Sequence, residues 1–248
     1  MTGLGTLINC GAVLAGAAVG IFIKSGLKER FQKTLISAVG LAVIFIGISG
    51  TVSGMLKLEN GGFSVSYTMP MVLCLVIGAF FGELVNIEDK LERVGAKIEK
   101  RFKSSESNGS FVEGFVSTSI LFCVGAMAII GSLQDGLGEG ISILASKSVL
   151  DGVMSVIYAA SLGYGVFFSV IPLAVYQGAI TAFAGFIKPY LTDSLIEQVS
   201  VVGYVLIFAI GLNLVLGKKI KVGNLLPAVL LPFLYYALEQ LFRLIFNT

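Results

Sequence analysis

The sequence contains little charge, no histidine and no tryptophan. Of its 248 residues, 17 are Lys or Arg and 15 are Asp or Glu, so that 13% are charged, whereas soluble domains carry about 25%. The absence of histidine removes the commonest metal ligand and the usual general base near neutral pH, which excludes His-based metal and hydrolase chemistry. We therefore expect neither an enzyme nor a cofactor or metal site. The net charge of +2 gives no indication of a nucleic-acid partner.

Long apolar stretches lie between the few charges. Hydrophobic residues make up 56% of the chain, and Thr34–Met55, Gly114–Leu133 and Val199–Gly217 each run without a charged residue. Each is long enough to cross about 30 Å of hydrocarbon. These stretches predict an all-α polytopic membrane protein with a single transmembrane domain over residues 1–248. Polar side chains inside such stretches are expensive, so they become candidates for a functional site.

One apolar stretch is too long for a single span. The apolar stretches are 6–23, 34–55, 67–85, 114–133, 149–187, 199–217 and 222–238. The fifth holds 39 residues, and one helix of that length would be about 58 Å long, nearly twice the hydrocarbon thickness. The chain must therefore reverse within Val149–Ile187, either as a tight hairpin of two spans or as a broken, re-entrant pair of half-helices. About eight membrane segments are predicted.

The basic residues indicate the orientation. With eight segments, 13 of the 17 Lys and Arg fall on one side of the membrane. The other side receives Lys57, Lys147, Lys188 and Arg243. By the positive-inside rule the first side is cytoplasmic, which places both termini outside the cytoplasm.

An amphipathic helix is predicted on the cytoplasmic side over residues 87–104. Apolar residues recur there every three or four positions from Ile87 to Phe102, between charged residues spaced for pairing. The helix is expected to anchor the loop at the membrane surface. A regulatory partner site is the alternative.

Glycine spacing indicates an internal repeat. Gly16 and Gly20 precede one basic loop, and Gly78 and Gly82 precede another, each pair being followed by a further apolar span. A third copy begins near Gly178 with the opposite orientation, so we predict an inverted repeat, as in many secondary transporters. Chance similarity between glycine-rich helices is the alternative. The four paired glycines also form small-xxx-small packing seams, within the chain or between two chains of a homodimer.

Polar side chains concentrate at the end of the fourth span and along the long stretch. The candidates for binding a solute or ion are Gln134, Asp135, Asp151, Ser155, Tyr176 and Gln177, joined by Asn9 in the first span and Asn213 in the seventh. Two carboxylates near one site favour cationic or amine-bearing cargo, although Lys147 would neutralise one of them. Helix capping is an alternative explanation for Asp151. Interhelical hydrogen bonding is the alternative for the two asparagines.

Several motifs together resemble one bacterial family. The stretches 125–136, 147–152, 176–178, 211–214 and 219–227, which include GAMAIIGSLQDG and KSVLDG, are similar to recurrent stretches of the domain-of-unknown-function 554 (YqgA-like) integral membrane proteins. The resemblance covers nearly the whole chain. It implies a multi-pass protein of the bacterial inner membrane and leaves the substrate unspecified.

The polar residues favour a transport function. The leading hypothesis is a small secondary carrier of a solute or ion, with its site between the fourth span and the broken stretch 149–187. A passive oligomeric channel is one alternative, since glycine seams and half-helices serve it equally well. A non-transporting assembly or signalling subunit acting through residues 87–110 is another. The expected partners are the lipid bilayer, a small solute or ion, and a second copy of the chain.

Overall fold

The computed structural model describes residues 2–26, 29–59, 61–102, 110–123, 126–217 and 219–246. Its helices are α1 (Leu4–Gly26), α2 (Glu29–Met55), α3 (Thr68–Val85), α4 (Ile87–Phe102), α5 (Ser110–Cys123), α6 (Ala126–Leu137), α7 (Ser142–Leu162), α8 (Gly165–Phe168), α9 (Val170–Ala182), α10 (Ala184–Ile187), α11 (Asp193–Leu216), α12 (Val222–Leu225) and α13 (Pro227–Phe246). Strands β1 (Leu56–Glu59) and β2 (Gly62–Val65) form an antiparallel hairpin between α2 and α3.

The helices confirm an all-α polytopic membrane fold. Within the described ranges, six are long and apolar enough to cross a membrane: Leu4–Lys24, Lys33–Met55, Thr68–Val85, Ser142–Leu162, Gly165–Ala182 and Asp193–Leu216. The bent pair Ser110–Cys123 and Met127–Leu137 makes a seventh if it is one span, and Val222–Ala237 is a shorter apolar helix. Counted together these are eight apolar segments, the number that the apolar stretches and charges predict.

The long stretch 149–187 is a hairpin of two helices. The chain leaves α7 at Gly163, whose φ of 82° is readily adopted by glycine. Gly165–Ala182 then runs back, because Asn9 on α1 bonds both Asp151 on α7 and Gln177 on α9. Each arm is long enough to cross the membrane. Of the two predicted forms, the tight hairpin of two spans is therefore the one adopted.

The bend within a span falls in the fourth segment instead. The axes of Ser110–Cys123 and Met127–Leu137 differ by 61°. This segment carries no charge between Gly114 and Leu133, and its sequence predicts one span without locating the bend. Beyond the bend, α6 packs against α9 and α1. Asp135 on α6 accepts the Gly3 N–H just before α1.

Glycines let the helices approach within the chain. A Cβ on Gly16 would collide with the Gly152 carbonyl oxygen on α7, and one on Gly20 with the Val156 carbonyl oxygen. Likewise, Cβ atoms on Gly78 and Gly82 would meet α13 and α12. All four predicted seam glycines are thus used in packing between helices of one chain.

The order of these contacts fixes the relative directions of the helices. Gly5 lies beside Leu144 and Gly20 beside Ala159, so α1 and α7 are parallel. Gly40 lies beside Val215 and Gly54 beside Val201, so α2 and α11 are antiparallel. We call the end of the bundle where α1 begins and α9 ends the N-terminal face. The other end, where α1 ends and α4 lies, is the basic face.

The predicted amphipathic helix is present as α4, which packs against α5 and α12. Positions 103–104 of the prediction lie outside the described residues. On the opposite face, the β1–β2 hairpin is a feature that the sequence did not predict. Lys57 ties it to α11 by donating to Glu197 Oε2 at 2.7 Å and to Tyr67 Oη at 3.1 Å. These bonds, to Glu197 first and then to Tyr67, raise the pKa of Lys57.

Candidate functional site

A buried polar stripe runs along one face of α7. Lys147, Asp151, Ser155 and Tyr158 are spaced by four, four and three residues, which places them on one side of a helix. Their exposed fractions are 6%, 7%, 0% and 0%. Because α7 begins at Ser142, nine residues before Asp151, this carboxylate does not cap a helix.

The end of this stripe nearer the N-terminal face, at Lys147 and Asp151, joins three helices in one cluster. Asn9 on α1 donates through Nδ2 to Asp151 Oδ2 at 2.9 Å and to Gln177 Oε1 on α9 at 3.2 Å. Lys147 Nζ forms a buried ion pair with the same Asp151 oxygen. We call Asn9, Lys147, Asp151 and Gln177 the polar cluster. It brings together three of the residues that the sequence selected, with Ser155 one turn below.

Several atoms in and below the polar cluster have unused hydrogen-bonding capacity. Among the described residues, Asn9 Oδ1, Gln177 Nε2, Ser155 Oγ and Tyr158 Oη are buried without a hydrogen-bond partner. Leaving such an atom unsatisfied costs about 1–3 kcal/mol. Asn9 Nδ2 must face the carboxylate, so its oxygen is the free acceptor and the Gln177 amide is a free donor. This arrangement suits a small polar ligand.

Asp135 has a different position from the one expected. Its Oδ1 accepts the Gly3 N–H at 3.0 Å, and its Oδ2 accepts those of Gly5 at 3.0 Å and Thr6 at 3.3 Å. The carboxylate therefore caps the first turn of α1 from α6, at the positive end of the helix dipole. It does not reach the polar cluster. Its neighbour Gln134 is partly buried and bonds Glu139 through its backbone carbonyl.

A cleft of about 560 Å³ opens on the N-terminal face between α1, α6 and α9. Thr6, Cys10, Gly178 and Thr181 are part of its wall. Cys10 and Gly178 directly follow Asn9 and Gln177 in the sequence. Residues next to two members of the polar cluster therefore line the cleft.

A second cavity, of about 430 Å³, lies on the basic face between α4, α5 and α11. Three carboxylates, those of Glu88, Glu92 and Glu113, are part of its lining. Gly114, which follows Glu113, lies against Leu162 of α7, one turn beyond Tyr158 at the lower end of the stripe. The stripe thus extends from the polar cluster toward this acidic cavity.

The structure does not bring Asn213 and Tyr176 into the polar cluster. Asn213 borders the acidic cavity, and its side chain bonds the backbone of Lys219 and Ile220 in the loop after α11. That loop contact differs from the interhelical bond expected as the alternative for Asn213. Tyr176 is partly buried and packs against the hydrophobic core.

From the sequence, Lys147 is identified only as a charge that would neutralise a carboxylate, and neither Lys147 nor Tyr158 is selected as a site residue. The charge count placed Lys147 in a loop on the outer side, because a lysine at the end of an apolar stretch normally marks the water boundary. The four-residue spacing of Lys147 to Asp151, which predicts an ion pair on one helix, was the signal that could have found it. Tyr158 could have been found by continuing the same face down the helix.

Comparison with known proteins agrees with this architecture. The family model described as "Protein of unknown function (DUF554)" matches residues 4–237. "Uncharacterized membrane protein YdfK" from Bacillus subtilis (strain 168) is 28% identical over 228 residues, covering 92% of this chain and 93% of the relative. "Uncharacterized protein YqgA" from Escherichia coli (strain K12) is 34% identical over 232 residues, covering 92% and 94%. No solved structure matches the chain.

These matches extend over nearly all the apolar helices described above, including α1, α7 and α9, which form the polar cluster. They also confirm the resemblance found in the sequence motifs. The chain therefore belongs to the family described as "Protein of unknown function (DUF554)", and it is an all-α polytopic membrane protein.

Proposed function

We propose that this protein is a secondary carrier of the bacterial inner membrane that moves a small cation or amine-bearing solute. The observation that carries the proposal is the polar cluster. A carboxylate, an ammonium and two amides are enclosed among helices long and apolar enough to span a bilayer. Ionisable groups at such positions are rare, and they commonly mark the path of an ion or substrate.

A contribution to the stability of the fold does not by itself explain the buried Lys147–Asp151 pair. Removing two charges from water costs several kcal/mol per ion, and replacing a buried pair by apolar residues is often neutral or stabilising. The unsatisfied amide atoms of Asn9 and Gln177 add to the cost. A binding role for the cluster explains why these groups lie together in this bundle.

The two cavities and the α7 stripe outline a path. It would run from the cleft on the N-terminal face, through the polar cluster, past Ser155 and Tyr158, to the acidic cavity on the basic face. Asn9 and Gln177 are fully buried between the two cavities. This separation favours a carrier over a passive channel, because a carrier exposes its site to one side at a time.

Contacts between α2 and α11 support an inverted repeat. Gly47 lies against Phe208, and Gly211 lies against Ile44. Gly47 and Gly211, the first residues of the similar stretches 47–49 and 211–213, thus each lie against the other helix.

The helices of the polar cluster have the directions that such a repeat requires. Asn9 bonds Gln177, and Val13 and Leu173 belong to one buried cluster, so α1 and α9 are antiparallel, like α2 and α11. We therefore propose that α1–α2 and α9–α11 are copies related by a two-fold axis in the membrane plane. Exchanging the conformations of the copies would open the site to the other side.

We further propose that the basic face is cytoplasmic and that both termini lie outside. Arg30 and Lys33 lie at the start of α2, and the basic residues of α4 lie at the same face. Positively charged segments are retained on the cytoplasmic side. The cleft beside α1 then faces the exterior.

Uptake into proteoliposomes tests the proposal. With radiolabelled sodium or methylammonium as probes, the wild-type protein should give uptake above that of protein-free vesicles. Asp151→Asn should reduce that uptake at least tenfold, because the carboxylate that attracts the cation is lost. Glu139→Gln is the matched control, since it makes the same chemical change in an exposed ion pair with Lys188.

Folding must be separated from function in this test. The double variant Lys147→Gln/Asp151→Asn removes both charges of the pair and leaves no unpaired ion in the bundle. It should elute as a single folded species and show no uptake. Uptake of neither probe by the wild type, or wild-type uptake by Asp151→Asn, would rule out the proposed site.

A further inference from the structure

We infer that Lys147 is a built-in counter-ion that competes with a monovalent cation for Asp151, so that each cation bound releases one proton. This inference rests on the proposed function and specifies how the same site is coupled. It makes the protein a cation/proton exchanger. The cargo class is an alkali metal ion or a primary ammonium.

The geometry gives Asp151 one partner of positive charge. Lys147 lies one turn before Asp151 on α7, and its Nζ pairs with the Oδ2 atom that also accepts from Asn9. The Lys147 Nζ also lies 6.0 Å from the centre of the Phe122 ring. An aromatic face at this distance attracts an ammonium, so it stabilises the charged side chain while the pair with Asp151 is formed.

The unpartnered atoms lie where a cation would need ligands. Asn9 Oδ1 and Ser155 Oγ are fully buried and have no hydrogen-bond partner, although both can act as acceptors. Asn9 bonds Asp151, and Ser155 follows Asp151 by one turn on α7. Together with the carboxylate they supply the oxygen atoms that alkali ions and ammonium groups bind. In the described chain, no group of three His, Cys, Asp or Glu side chains could hold a metal ion. One carboxylate with neutral oxygens suits a single positive charge.

The exchange is balanced in charge. In the resting site, the ammonium of Lys147 neutralises the carboxylate of Asp151. A cation entering from the cleft takes over that carboxylate, and the ammonium is left in hydrocarbon without a counter-ion, which is strongly disfavoured. Lys147 then releases one proton to the cleft and remains as a neutral amine. On the other side the cation leaves, Lys147 takes up a proton, and the pair re-forms.

Few other titratable groups face the pair. Cys123 of α5 is within electrostatic range of Lys147 and Asp151, and Tyr176 of α9 is within that of Cys123. Asp135 of α6 is held by the backbone of α1. Otherwise α1 and α9 present the amides of Asn9 and Gln177, which do not titrate.

Proton release on binding tests the inference directly. Purified wild-type protein in weakly buffered detergent solution is titrated with sodium chloride or methylammonium chloride, and choline chloride keeps the ionic strength constant. Calorimetry measures how many cations bind per protein, and a pH indicator measures how many protons are released. We expect about one proton per cation, and an apparent Kd that rises about tenfold for each unit by which the pH falls. The two salts distinguish an alkali ion from an ammonium cargo.

Lys147→Gln is the diagnostic variant. Without its competitor, Asp151 should bind the cation at least tenfold more tightly near pH 8. If the variant does not fold, the wild-type proton count still decides. Wild-type binding without proton release, or no binding of either cation, overturns the inference. Uptake that depends on Asp151 would then still support the carrier, whereas absence of uptake overturns the carrier itself.

Discussion

At the scale of single residues, the two buried carboxylates have different environments. Asp135 accepts three backbone N–H groups of the first turn of α1. Asp151 accepts from side chains only, an amide and an ammonium. Backbone donors hold a carboxylate in place for as long as the helix exists, whereas side chains can move away. The first arrangement is structural, and the second is suited to exchange of partners.

Replacing Asp135 by Ala should therefore lower stability while leaving the path intact. Three N–H groups at the end of α1 would lose their acceptor, at a cost of about 2 kcal/mol. Thermal unfolding in detergent, followed by circular dichroism, should show a lower midpoint than the wild type. Uptake measured well below that midpoint should stay within about twofold of the wild type. An unchanged midpoint with lost uptake would instead place Asp135 in the path.

Part of the site could be predicted from residue types. An amide or carboxylate within an apolar span needs a partner, and this argument selected Asn9, Asp151, Ser155 and Gln177, which lie together. The same argument selected Asp135 and Asn213, which bond backbone elsewhere. Polarity indicates that a partner exists without saying whether it is a side chain, a backbone group or a ligand.

At the scale of elements, glycine contacts set how closely the helices pack. Gly16 lies against the backbone of Gly152 on α7, whereas Gly11 on the same helix has no atom within 4 Å of an added Cβ. The two positions therefore form a matched pair. One tests close approach between helices, and the other tests helix propensity alone.

Gly16→Ala should destabilise the protein and Gly11→Ala should not. At Gly16 the methyl group collides with a backbone carbonyl oxygen, so α1 and α7 must separate, which costs about 1–3 kcal/mol. At Gly11 the methyl group meets open space, and Ala is the better helix former by about 1 kcal/mol. Melting midpoints of the two purified variants provide the comparison. Equal midpoints would contradict the packing described for α1 and α7.

The sequence located most helices and missed their breaks. The lengths of the charge-free stretches predicted the apolar segments, because a span must cross the bilayer. The recurrence of apolar residues between charged ones predicted α4. The 61° bend between α5 and α6 and the β1–β2 hairpin carry no such signal. Both depend on contacts with distant segments, such as that of Asp135 with α1 and that of Lys57 with α11.

At the scale of the whole molecule, two cavities lie at opposite ends of the bundle, and the buried polar cluster lies where α1 meets α9. A protein built from two inverted copies has two conformations of similar energy, one open to each side. The carrier proposal requires that the cluster be reached from both sides in turn.

Accessibility of a thiol in the stripe tests this claim most directly. Ser155→Cys is made in a chain in which Cys10, Cys74 and Cys123 are replaced by Ala, and a membrane-impermeant thiol reagent is applied from either side of the vesicle. Val153→Cys is the control, because Val153 lies on the same helix and is 53% exposed on the outside of the bundle. We predict that Ser155→Cys reacts from both sides and Val153→Cys from neither. If Ser155→Cys fails to react from one or both sides, in vesicles that take up the cation, alternating access to the polar cluster is contradicted.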